Sequence, residues 1–425
     1  MTVPPAVSRP FVTTALTTRI AFLLELARRL HQYGTTAPRL EMAVAGVAQR
    51  MGLAADVWSS PTAIIISFTD LGQGDEGVAQ STQVMRLAPG DVNLARLCEV
   101  DRIADQVTAG EVDLREGFTR LRLLGRPDSR LVKVAVISSF GLSAASIVAL
   151  FLHSSWPDLL VAAVIGVIIG SITVLSASRP RLAIASEAVC AMVATTIAIV
   201  VSAFVVPLAI KAVVLASLIV LIPGMSLTTA VRELSSQHLV SGMARMGGAV
   251  TSLLKLTFGT VAATQLCAAM GIEARDYALP PLPNWMDYPS LLLGAFGFAI
   301  LFRAARRDWL VVMGAVVLGY LTTRWGGHIS AEVPGAPFGV FLGGFVLSAL
   351  ANLYARFMGR PGAVIREPGI IMLVPGSVGF RSMSFLLDRN TELGVDTGIL
   401  LLTILVSLVA GLIFGDLLVS PRRSL

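Results

Sequence analysis

From about residue 131 onward the polar residues of this chain retreat into short clusters. The apolar runs between them approach the ~20 residues that a bilayer demands of a helix. Ten such runs can be counted, over residues 132–153, 158–177, 183–204, 206–231, 247–270, 289–305, 308–325, 336–356, 367–387 and 397–419. The stretch before them is mixed rather than apolar. Ile20–Leu30 and Ala37–Met51 place apolar residues at helical period, with Gly34 marking a turn between them. Val57–Phe68 and Gln83–Leu87 are β-branched runs that suit strands, and Asp91–Ala109 and Leu114–Leu124 return to the helical period. The pattern predicts a polytopic α-helical membrane protein. A disordered tail over residues 1–16 and an amino-terminal α/β or α+β domain over 17–130 precede membrane segments over 131–270 and 289–420.

Charge then orients the spans. Arg120, Arg122, Arg126 and Arg130 precede the first, and Arg179 and Arg181 follow the second. Arg245 precedes the fifth, Arg303, Arg306 and Arg307 follow the sixth, Arg356, Arg360 and Arg366 follow the eighth, and Arg422 and Arg423 end the sequence. The alternate loops, such as His153–Asp158 and Gly271–Pro289, are poor in Lys and Arg. All basic loops therefore fall on one side, which predicts a cytoplasmic location for both termini and the amino-terminal domain. Trp156, Trp285, Trp309 and Trp325 fall near span ends, where interfacial tryptophan belongs.

Composition agrees. Only 14% of the 425 residues are charged and the mean hydropathy is +0.76, against about 25% charged residues in soluble proteins. The net charge of +6 fits basic loops in a membrane protein and does not call for nucleic acid. Cys98, Cys190 and Cys267 are isolated, and His31, His153, His238 and His328 do not cluster, so no metal or cofactor site is read. The glycine-rich Gly72-Gln-Gly-Asp-Glu-Gly77 is followed by no Gly-Lys-Ser/Thr and is read as a hairpin loop, not a nucleotide site. The first residues do not read as a signal peptide, because no long apolar core follows them.

Two spans are interrupted in the same way. Ile219–Gly242 begins as an apolar run, breaks at Pro223-Gly224, and restarts with Ser226, Thr228, Thr229 and the pair Arg232-Glu233. Ile370–Leu387 breaks at Pro375-Gly376 and restarts with Ser377 and Arg381. Proline removes a helical hydrogen bond and glycine permits a turn or a close approach. The breaks lie 152 positions apart (375 minus 223), and the same offset carries the first five spans onto the second five within a few residues. Five is odd, so the halves have opposite orientation: two inverted five-helix repeats, a plan used by transporters.

The run from Pro223-Gly-Met-Ser-Leu-Thr-Thr-Ala through His238-Leu-Val-Ser-Gly242-Met-Ala-Arg245 resembles the core motif of the threonine/serine exporter family. Arg28-Arg-Leu-His-Gln-Tyr-Gly34 and Leu97-Cys-Glu-Val-Asp101 resemble that family's amino-terminal region, and Val374-Pro-Gly-Ser-Val-Gly-Phe-Arg-Ser382 its carboxy-terminal module, here fused in one chain. The resemblance implies secondary export of small amino acids across an inner membrane, driven by the proton gradient. Paralogues assigned to other small carboxylates leave the substrate open.

The candidate site follows from the breaks. Pro223, Gly224, Ser226, Thr228, Thr229, Pro375, Gly376 and Ser377 would hold the substrate, its carboxylate meeting free N–H groups where the helix dipole favours negative charge. Arg381 either joins them as a carboxylate fork or pairs with Asp388 and Glu392 near the surface. Glu187 and Lys255 are the candidates for proton coupling, since ionisable groups inside spans are rare and usually face the interior. Glu187 could instead pair with Arg179 or Arg181, and Asp416 reads as interfacial beside Arg422 and Arg423. Gly166/Gly170, Gly339/Gly343 and Gly411/Gly415 have the spacing of close helix packing. Substrate, protons and membrane lipid are the expected partners, and a homo-oligomer stays open. An exporter of small dicarboxylates such as succinate, a channel gated by the amino-terminal domain, and a membrane enzyme remain as other readings, although no catalytic cluster is visible.

Overall fold

The computed structural model describes residues 15–71, 81–275, 279–329 and 337–421. Most of the amino-terminal tail, the glycine-rich run 72–77, and Arg422 and Arg423 lie outside the described residues. The chain opens with α1 (Leu16–Gln32) and α2 (Ala37–Arg50), then an antiparallel sheet in the order β1 (Leu53–Ser60), β2 (Ala63–Asp70), β3 (Ser81–Arg86), then α3 (Leu94–Thr108) and α4 (Leu114–Leu124). Sequential helices around an antiparallel sheet make this head an α+β arrangement. The single strand run expected over Val57–Phe68 is two strands, because Pro61-Thr62 forms a turn that sets Ser60 opposite Ala63. The Ser60 hydroxyl donates to the Ala63 carbonyl and accepts from the Ala63 N–H, both at 3.1 Å. Along β2, Ile64, Ile66 and Phe68 point inward at period two and pack under Leu23, Leu26 and Leu30 of α1.

The remainder is helical: α5 (Arg130–Leu150), α6 (Trp156–Ser176), α7 (Pro180–Phe204), α8 (Ile210–Ser217), α9 (Gly224–Ser235), α10 (Leu239–Ala269), α11 (Asp287–Leu301), α12 (Trp309–Ile329), α13 (Phe338–Met358), α14 (Ala363–Ile370), α15 (Gly376–Leu387) and α16 (Thr391–Leu418). Among the described residues, seven helices are long and apolar enough to cross a membrane: α5, α6, α7, α10, α12 with its preceding turn, α13 and α16. The other three runs of the sequence pattern are α11, which has 15 helical residues, and the pairs α8/α9 and α14/α15, which the Pro-Gly breaks divide. Each break leaves two helices of 8 and 12 residues where the apolar run is continuous.

The two halves interlock. Helix α5 packs on both α6 and α11, α9 on α10 and α16, and α15 on α10, α16 and α9. The glycine pairs mark close approaches: a Cβ on Gly166 would lie 2.8 Å from the Phe140 carbonyl oxygen of α5, and one on Gly415 2.7 Å from Ser348 Cβ of α13. The buried Asp158 caps α6 in a reciprocal box with Ser155 and also accepts from the Ala209 N–H at 2.9 Å, which fixes the α7–α8 connection.

The head is built onto this bundle. Its apolar core runs on without interruption into Phe298, Phe302, Val312 and Val364 of the helical part. The first N–H groups of α3, on Leu94 and Ala95, donate to the carbonyls of Phe302 and Arg303 at 3.0 and 3.1 Å. The N-terminal end of one helix thus meets the C-terminal end of another, and their dipoles attract. Asp128 seals the joint by accepting Arg96 at 2.6 Å and Arg303 at 3.2 Å.

Candidate functional site

The two breaks, far apart in the chain, meet in space. A Cβ on Gly224 would run into the Val374 side chain and sit 3.1 Å from the Cα and N of Gly376. One on Gly376 would sit 2.8 Å from Ile222 Cγ2 and 3.0 Å from Gly224 Cα. The backbones touch because neither residue carries a side chain. Beyond the contact, α9 and α15 begin at Pro223 and Pro375, and neither start has a side-chain cap. The Gly224 N–H is taken by the Ile222 carbonyl at 2.8 Å, but the other first-turn N–H groups have no intrahelical or side-chain acceptor among the described residues, the arrangement that receives anions.

A cavity of about 830 Å³ opens at this crossing. Pro223, Gly224, Ser226 and Thr229 line it from the first break, Gly376 and Ser377 from the second. Among the described residues the hydroxyls of Ser226, Thr229 and Ser377 form no side-chain hydrogen bond, so none of them serves as a helix cap. Thr228 is buried behind the lining with its hydroxyl unpartnered, and Pro375 is likewise buried. Arg381 stands apart: it lies on the exposed face of α15, outside the cavity lining, and forms no ion pair among the described residues.

Glu187 and Lys255, picked separately from the sequence, are partners, with Nζ 3.1 Å from the carboxylate. Glu187 also accepts Ser252 Oγ at 2.6 Å, and both Glu187 and Ser252 line the cavity. The pair joins α7 to α10, and neither Arg179 nor Arg181 takes part.

Two carboxylates are hubs that the sequence did not announce: Glu233, and Asp416, which reads as interfacial beside Arg422 and Arg423 but takes Arg366 and Arg232 as partners among the described residues. Glu233 is 1% exposed and accepts the Ala37 N–H of the head at 3.1 Å, Ser241 Oγ at 2.7 Å and Arg245 Nε at 3.0 Å. Asp416 accepts Ser348 at 2.8 Å, Asn352 at 2.7 Å, Arg366 at 2.8 Å and Arg232 at 3.2 Å, uniting α9, α13, α14 and α16. The signals were present as Arg232-Glu233 and as a lone carboxylate in an apolar run, but the partners lie up to 196 positions away in the chain. Removing one member of a buried pair leaves an uncompensated charge, at about 3–5 kcal/mol. Asp416→Ala is thus expected to lower the unfolding temperature of the purified protein sharply, and Asp416→Asn less so, as a thermal melt in detergent would show.

A second cavity, of about 810 Å³, is lined from both the head and the bundle, by Arg39, Arg232, Arg366 and Asp416 among others. Glu367 lines both cavities and forms no ion pair among the described residues. In the head, burial pushes the His31 imidazole below its ordinary range, and the charge of Arg245 adds to that. Burial pushes the Cys98 thiol up to about 12, which makes it an unreactive core side chain. No group of three or more potential metal ligands occurs among the described residues.

Residues 21–267 match the ThrE family model, and residues 290–418 match the model described as "Threonine/Serine exporter, ThrE". Among curated proteins, the chain is 24% identical to pheromone-regulated membrane protein 10 of Zygosaccharomyces rouxii, over 95% of this chain and 43% of the relative. It is 22% identical to the protein of that name in Eremothecium gossypii, over 95% of this chain and 56% of the relative. The Saccharomyces cerevisiae protein is 23% identical, over 95% of this chain and 54% of its own length. The chain thus spans about half the length of the curated relatives it matches. No solved structure matches it.

Proposed function

The chain belongs to the threonine/serine exporter family, and from that premise we propose that it is a secondary active exporter of small polar amino acids, threonine- or serine-like, working by proton antiport across the inner membrane. One observation carries the proposal: the two Pro-Gly breaks converge on one cavity, with the uncapped starts of α9 and α15 side by side. A substrate carboxylate would lie against those N–H groups, and Ser226, Thr229 and Ser377 would read its ammonium or hydroxyl. Pro223, in the lining, and the buried Pro375 shape the breaks, and Thr228 packs behind them. Glu187 and Lys255 supply the coupling pair. Arg381, on the outer face, is assigned no substrate contact.

The architecture behind this reading is ten spans in two inverted repeats. The starts of α9 and α15, and of α10 and α16, repeat at 152 positions (376 minus 224, 391 minus 239). Alternating access would follow from one bundle rocking on the other about the crossing. Both termini and the head face the cytoplasm in this arrangement. In a background freed of the native cysteines, Trp285→Cys is expected to react with an impermeant thiol reagent from outside and Ala305→Cys to be protected. The reverse pattern would overturn the topology.

The function is tested by uptake of labelled serine, threonine and succinate into inverted vesicles, with and without an uncoupler. Uncoupler-sensitive uptake of serine or threonine is the expected result. Succinate uptake alone would assign the protein to dicarboxylates, and flux indifferent to the proton gradient would make it a channel.

A further inference from the structure

Arg245 is a charged side chain in the cavity lining that is held from behind by a fully buried carboxylate of its neighbouring helix. Its Nε donates to both oxygens of Glu233, at 3.0 Å each. Glu233 is itself fixed by the Ala37 N–H and Ser241 Oγ, so the guanidinium is oriented by three elements: the head, α9 and α10. Among the described residues its two terminal nitrogens have no hydrogen-bond partner, and its side chain remains 19% exposed. Their N–H groups stand side by side in a plane, a fork that matches the two oxygens of a carboxylate. The local pair with Glu233 is neutral overall, so an incoming anion meets a prepared donor pair without having to displace a counter-ion.

This place is distinct from the breaks. Glu233 lies nine positions beyond Gly224 along α9, which is about 13 Å of helix. Thr229, one turn before Glu233, and Ser252, two turns after Arg245 on α10, line the cavity between the two places.

We propose that Arg245 forms a second carboxylate-binding site on the transport path, a head-side subsite that takes the substrate's carboxylate before it reaches the breaks. The inference rests on the exporter reading given above. It also gives the head a part in transport, since the Ala37 N–H holds the carboxylate that aims Arg245.

The experiment compares the parent with Arg245→Lys and Arg245→Gln in inverted vesicles, measuring the KM for serine and competition by serinamide, which lacks the carboxylate. Losing a charge-assisted hydrogen-bond pair is expected to raise the KM about tenfold or more and to weaken the preference for serine over serinamide, leaving only the part that the breaks supply. The rate at saturating serine should largely survive, because the breaks are untouched. Arg245→Lys keeps a charge for Glu233 but loses the fork, so it separates recognition from folding. Variants that keep the parental KM and the parental preference would overturn the assignment. Peptide mapping of Arg245 modification by phenylglyoxal provides a readout independent of transport. Serine, threonine or succinate should protect Arg245 and serinamide should not. If the parent moves neither serine nor threonine, the amino-acid reading fails, and protection by succinate then decides for the Arg245 site, its absence against it.

Discussion

Leucine at Gly224 or Gly376 is expected to abolish transport while leaving most of the protein in the membrane. Each glycine sits where two backbones touch, and a Cβ on either would come within about 3 Å of the other's main chain. Leucine adds three further carbons to that clash, which α9 and α15 can relieve only by moving apart. Overpacking of this kind costs about 1–3 kcal/mol of stability, a modest sum in a bundle tied elsewhere by the Asp416 and Glu233 hubs. The effect on function is larger, because the displaced elements carry the uncapped helix starts. Where reacting or binding groups must be held in place, a shift of about 1 Å costs about 100-fold. Transport of labelled serine, divided by the amount of folded protein on gel filtration, measures it. Loss of protein and activity in equal proportion would reduce the glycines to a folding role.

Glu187→Gln is expected to bring net export down to the level an uncoupler leaves, while exchange of labelled for unlabelled serine persists. Glutamine can still accept from Ser252 and keeps the shape of the site, but it cannot take up and release a proton. Lys255 would lose its partner 3.1 Å away, yet it is 35% exposed, so the stability loss stays on the order of 1 kcal/mol. Lys255→Gln provides the complementary measurement: the carboxylate remains and proton-driven export persists. Unchanged net export by a normally folded Glu187→Gln protein would move the coupling role elsewhere. Glu367 would then be the first carboxylate to examine, since it lines both cavities and forms no ion pair among the described residues.

Much of this was legible because local physics writes it locally. Apolar run length marked the helices, and α4 matches the Leu114–Leu124 expected from its period. The Pro-Gly pairs announced the divisions between α8 and α9 and between α14 and α15, whereas Pro368 is carried inside α14 without ending it, so proline alone does not mark a helix end. Pro61 was the overlooked counterpart: the same residue divides a β-branched run into β1 and β2.

By itself the sequence determined the order and approximate extent of the helices, that much of the chain is apolar enough for lipid, and that two runs are broken alike, because each of these depends on residues a few positions apart. Only the tertiary structure decided that the breaks touch, that Glu187 belongs to Lys255, that Arg381 faces away from the cavity, and that Glu233 holds the head against α9 and aims Arg245. Those facts rest on groups brought together from distant positions, and an ionisable residue in an apolar run carries no mark of which partner offsets its burial.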